Sequence, residues 1–172
     1  MAGLSTAQLQ ALSSAQVPGL GTEDIAALSS VQIGALRTAS LAGLSTDQIA
    51  ALSSTNVKGL SSAQLLALSS SQIAALETDD FAQLSSAQLG ALSSKQGAGL
   101  TTAQLASLDS AELSKLSTAA VQGLSTAAIA GLSSTQVPGL GTADRNSVVS
   151  GKRVGLGGRR NMKQKSSAQA KS

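Results

Sequence analysis

The sequence predicts an all-α solenoid of very short capped helices, one for every eight residues. Three observations predict it. Leucine recurs at each eighth position from Leu4 to Leu140 without an insertion. Inside half of the 18 units a Ser stands three residues before a Gln, the spacing of a helix capping box. Gly or Ala closes 14 of the 18 units that run from Leu4 to Ser147, and these residues suit a helix C-terminus.

The consensus octad is L-S-[ST]-x-Q-[ILV]-x-[AG]. Position one is Leu and position three is Ser or Thr in all 18 octads. Position six is apolar in 16 and fails only at Gly97 and Arg145; position five is Gln, Glu, Asp or Asn in 15. Agreement this strict places every octad in the same environment. Met1-Ala2-Gly3 fits positions six to eight, so the chain begins in phase, as a piece of a longer array would.

Each element follows from the octad in order. In Leu4-Ser5-Thr6-Ala7-Gln8-Leu9-Gln10-Ala11, Ser5 is placed as N-cap and Gln8 as N3. The Ser hydroxyl accepts from the Gln8 amide, and the Gln side chain reaches back to the Ser amide. Ser45 with Gln48 and Ser69 with Gln72 repeat the pair; Asp109 with Glu112 is its acidic version. Leu4 and Leu9 then form the hydrophobic staple. Position eight ends the helix, with Gly expected to take the left-handed conformation. Helices this short do not persist alone, because nucleation costs too much. They must stack, so stability runs along the array. The domain reading is a solenoid over residues 1–147 and a basic tail over 148–172.

Three facts oppose the helix. The capping box does not need the hydroxyl at position three. Pro18 and Pro138 fall at position seven, where a helix loses a hydrogen bond. Ser, Thr, Ile and Val also suit strands. The alternative is a β-solenoid with Leu and Ile inside and Ser/Thr ladders along the coils. No period of two or three octads is visible, so the number of octads per coil stays open.

The net charge of +3 hides two unlike segments. Residues 1–144 hold four basic and nine acidic residues, net −5; residues 145–172 hold eight basic residues and no acid, net +8. Arg145 breaks the octad pattern. The Gly-, Ser- and Lys-rich stretch that follows reads as disordered. Lys152, Arg153, Arg159, Arg160, Lys163 and Lys165 are the candidate contacts for a polyanion, either nucleic acid or anionic lipid. The plainer reading is a solvated tail, since no aromatic residue is interleaved for base stacking.

Composition excludes much chemistry. The chain has no Cys, His, Trp or Tyr, and Phe81 is its single aromatic residue. Disulfides, thiolate or imidazole metal sites and a Ser-His-Asp triad are therefore impossible. No catalytic, cofactor-binding or metal residue is assigned, and the chain is read as not an enzyme. The acidic groups Glu23-Asp24 and Glu77 with Asp79-Asp80 are expected near helix N-termini, where the dipole favours them. Phe81 occupies position six as a larger core residue. No apolar run is long enough to span a membrane, and no signal peptide opens the chain.

The octads LSTAQLQA, LSTDQIAA and LSSSQIAA resemble the L-[ST]-[ST]-x-Q-[IV]-x-A-L arrays of very large bacterial surface or secreted proteins. Those proteins are often labelled as heme-utilisation, adhesion or calcium-binding type I secretion proteins. The resemblance covers residues 4–147. It implies a long repetitive segment at an extracellular or cell-surface location. The tail departs from that family, having no Asp-rich calcium motif and no G-G-x-G-x-D nonapeptide. Heme has no candidate ligand among His, Cys or Tyr, and Met1 and Met162 lie near the chain ends.

The expected function is structural, a spacer, stalk or adhesive surface segment. The alternatives are a binding module whose repeated Ser/Thr/Gln face takes polysaccharide or ice, and polyanion binding through the tail.

Overall fold

The computed structural model describes residues 3–140 of the chain, and in it each octad folds into one short helix. Among the described residues there are fourteen α-helices of four to six residues, from Thr6–Ala11 to Thr126–Ala130. Three further octads form 3₁₀ turns at Val17–Gly19, Val57–Gly59 and Val137–Gly139. No strand occurs among the described residues, so the ladder alternative is not the fold.

Two extended residues separate successive helices. At one such corner Leu68 has φ −68°, ψ 143° and Ser69 has φ −73°, ψ 164°. Any L-residue adopts these angles. Glycine at position eight was expected to end helices in the left-handed region, but no described residue has a positive φ. The chain turns these corners through positions one and two instead, whichever residue stands at position two. The Leu N–H also closes the last turn, as from Leu68 N to Leu65 O at 3.1 Å. Pro18 and Pro138 are accommodated because their octads switch to 3₁₀ turns, with the proline in the first turn, where its missing N–H is no loss.

The helices stack at an interval of three octads. Thr6–Ala11 packs on Ser30–Ala35, which packs on Val57–Gly59. Ser70–Ala75 packs on Ser94–Gly99, which packs on Thr118–Gly123. Three octads, 24 residues, therefore complete one coil. Positions one and six point inward from all three sides. From Leu28 to Leu124 every position-one leucine is buried, and Phe81 fills its core place with no exposure. Each coil thus adds a layer of leucine and mostly apolar position-six residues to one continuous core, the nearest-neighbour arrangement of a solenoid.

Candidate functional site

The feature that recurs in the molecule is the junction between one coil and the next. It is built on the position-five amide, which bonds at both ends. In the octad that starts at Leu60, Gln64 Oε1 accepts from Ser61 N at 2.7 Å while Ser61 Oγ accepts from Gln64 N at 3.2 Å, the capping box. Gln64 Nε2 then donates to Leu36 O at 2.7 Å and Ile33 O at 3.1 Å in the coil below. Gln48, Gln88, Gln104 and Gln136 make the same pair of downward bonds, always 28 and 31 residues back. Carbonyls at the end of a short helix have no partner within it. The amide from above supplies one.

The two capping pairs Ser45/Gln48 and Ser69/Gln72 close both halves of their boxes, and Gln48 and Gln72 are buried. Ser5 and Gln8 also form a box, yet both are exposed, and among the described residues no coil packs beneath them. Asp109 and Glu112 form the acidic version. A repeated outer Ser/Thr/Gln face was expected; from the second coil upward most of the glutamines are interior instead. Burial follows from the second bond, because the amide must enter the junction to reach the carbonyls below. The tail residues Lys152, Arg153, Arg159, Arg160, Lys163 and Lys165 lie outside the described residues.

Departures from Gln show what the position requires. Ser40 replaces it and donates its shorter Oγ to Leu12 O at 2.6 Å, keeping one downward bond. Asn56 reaches Ile25 O at 3.2 Å. Ala120 cannot donate, and Ser117 Oγ takes over the bond to Leu92 O. The same junction explains Gly97, the one glycine at position six. A Cβ on Gly97 would lie 2.0 Å from Ala120 O, so the two helices close together where both side chains are small.

Position-eight glycines serve the junction too. A Cβ on Gly59 would sit 1.9 Å from Ser30 O, and one on Gly123 would sit 2.1 Å from Ser94 O. These glycines are present for close backbone approach rather than for conformational freedom. The missed signal was the spacing of exceptions: Gly97 and Ala120 fall in octads three apart.

Asp80 stands at position five with 6% exposure, where a neutral amide would donate downward. Burial pushes its carboxyl above the ordinary aspartate range, and the charges of Glu77 and Asp79 add to the rise. A carboxyl raised in the folded state stabilises the fold below its unfolded pKa, and that contribution is lost as pH rises through the folded pKa. Asp80→Asn should therefore raise the unfolding midpoint at pH 7 and shrink the gain on acidification. About 0.5–1.5 kcal/mol is expected, one net hydrogen bond. Paired denaturant titrations at pH 4.5 and pH 7 check this; an unchanged difference between the two pH values counts against it.

The outer surface carries position three. Its Ser or Thr opens each of the fourteen α-helices, and it is exposed or half-buried in every described octad. Among the described residues only Ser62 uses that hydroxyl in a hydrogen bond, to Ala87 O at 3.5 Å. Glu23, Asp24, Asp79 and Asp80 lie in first helical turns. Among the described residues no group of three or more acidic, His or Cys side chains is placed to hold a metal ion, and no helix is long and apolar enough to cross a membrane.

The chain matches the ALTTAQ repeat over residues 1–30, 17–54, 30–62, 49–78, 73–110 and 105–142. No curated protein and no solved structure matches it.

Proposed function

Because the chain belongs to the ALTTAQ repeat family, we propose that it is a structural rod, a spacer or stalk in a bacterial surface or secreted protein. The observation that carries this reading is the junction. A downward bond to the carbonyl 28 residues back recurs at Gln48, Gln64, Gln72, Gln88, Gln96, Gln104 and Gln136. A bond that recurs at a fixed interval sets length in equal steps. The octads' resemblance to surface-protein arrays supports the location.

Duplicating one coil, residues 60–83, tests the rod. Small-angle scattering should show the longest dimension rising by about 8–10 Å, one helix-packing distance, at constant cross-section. A broader particle of unchanged length would overturn it. Deleting one whole octad should leave the circular dichroism spectrum helical and the melt cooperative. Deleting four residues should lose both, because every box and core position beyond the cut changes face. Equal losses from the two deletions would count against equivalent octads.

A second reading, an adhesive surface, is favoured by the position-three hydroxyls, which the fold leaves almost unused. Many weak contacts along a repeated row add up through effective concentration. A glycan array probed with the full chain tests it, and absence of binding to any polysaccharide removes it. The ice reading depended on a flat strand ladder, which the helices do not provide.

A further inference from the structure

Position three carries a hydroxyl that the repeat never gives up and the fold hardly uses. Among the described residues it is exposed in most octads and half-buried in the rest, and only Ser62 bonds through it. Ser stands there in nine of the 18 octads and Thr in the other nine, so what is kept is the hydroxyl and not the shape. Position four is exposed in every described octad and holds seven residue types there, among them Ala15, Val31, Asp47 and Lys95. Exposure by itself therefore leaves a position free to vary. Position two sharpens the contrast. Its hydroxyl caps helices, as Ser69 and Ser85 do, yet Gly21, Arg37 and Glu77 replace it. The hydroxyl with a structural task varies, and the one without a task does not. Helix propensity does not demand it either. Pro, Asp and Glu suit the first helical turn, and none stands at position three.

The hydroxyls also lie on all three sides of the coil. Ser86, Ser94 and Thr102 belong to successive octads, hence to successive sides, and all three are exposed. A partner docked along the array touches one side and leaves two rows free to change. A reaction that takes one octad at a time needs the hydroxyl in every octad, whichever side it faces. We propose that the position-three hydroxyls are acceptor sites for O-glycosylation, each taking a neutral sugar from a nucleoside-diphosphate sugar. The hydroxyl oxygen attacks the anomeric carbon. A glycosidic C–O bond forms, the anomeric C–O bond to the diphosphate breaks, and the nucleoside diphosphate leaves. The hydroxyl proton passes to a base of the transferase. Coils stand about 8–10 Å apart, one helix-packing distance, which leaves room for a pyranose ring on each hydroxyl of a row. Phosphate fits the same hydroxyls less well. Each would add about −1.5 to −2 charges roughly one Debye length from the next, and Asp47 and Asp79 already follow Thr46 and Thr78. This inference rests on the hydroxyl pattern and is independent of the rod reading.

Intact mass and fragmentation sequencing of the full chain, purified from the cells that encode it, test the proposal. The expected mass exceeds that of the bare chain by whole hexose or N-acetylhexosamine units, attached at position three on all three sides. The triple variant Thr46→Ala, Ser86→Ala, Thr102→Ala removes one acceptor from each side. It should lose the sugars at those three sites alone. Made without the transferase, it should keep the helical spectrum and melting midpoint of the unmodified parent. A bare mass overturns the proposal. So do phosphate increments, sugars confined to one side or to positions two and four, or a lowered midpoint in the variant, which would give the hydroxyls a structural task.

Discussion

Gln64→Glu should destabilise the protein by about 3–5 kcal/mol, the range for an uncompensated charge left inside a protein, while Gln8→Glu changes stability by less than about 0.5 kcal/mol, as surface substitutions do. The two substitutions are chemically identical and sit at the same octad position. Both keep the oxygen that accepts from the N-cap amide, 2.7 Å from Ser61 N in one case and 2.8 Å from Ser5 N in the other. They differ in what lies beneath. Gln64 is 2% exposed, and its Nε2 lies 2.7 Å from Leu36 O and 3.1 Å from Ile33 O. Glutamate there sets a carboxylate oxygen against two carbonyl oxygens and strips both of a donor. Protonation relieves part of the loss, so the Gln64→Glu defect should shrink on acidification. Urea unfolding followed by far-ultraviolet circular dichroism measures both variants. Equal losses would confine the amide's role to the cap.

The second large effect is expected from glycine. Gly59→Ala should cost about 1–3 kcal/mol or more through overpacking. The added Cβ would lie 1.9 Å from Ser30 O and 2.5 Å from Ser30 C, backbone atoms that cannot rotate away. Gly19 is the matched control. It closes the same kind of 3₁₀ turn at the same octad position, and a Cβ there meets nothing within 4 Å. With no positive φ at either site, Gly19→Ala should stabilise by about 0.4–1 kcal/mol, because alanine has less freedom to lose on folding. Thermal midpoints of the two variants decide it. A shift of the same sign in both would show that the glycines act through backbone freedom and not through contact.

The capping box was readable because it is local. Ser61 and Gln64 meet across three residues, and their bonding depends on nothing farther away. The inward leucines were readable for the same reason, since a strict eight-residue recurrence puts every Leu in one environment. The second bond of the amide was not readable. Its acceptors are 28 and 31 residues back, and the consensus alone does not distinguish a coil of two octads from one of three. Position three was puzzling in the sequence and remains outside the bonding of the fold, an exposed or half-buried residue whose hydroxyl is almost everywhere unspent.

The octads alone predicted a stack of equivalent short helices, most of them capped at the start and joined through a leucine that faces the core, and they left a β-solenoid open as the alternative. That follows from forces acting within one octad: hydrogen bonds over three residues and burial at a fixed interval. Packing between coils decided that three octads make a coil, that the position-five amide donates into the coil below, and that Gly59 and Gly123 mark close approach. A uniform repeat looks the same after a shift of one, two or three units. The choice among those shifts is made by packing between coils, where a carbonyl from below must find the amide above it.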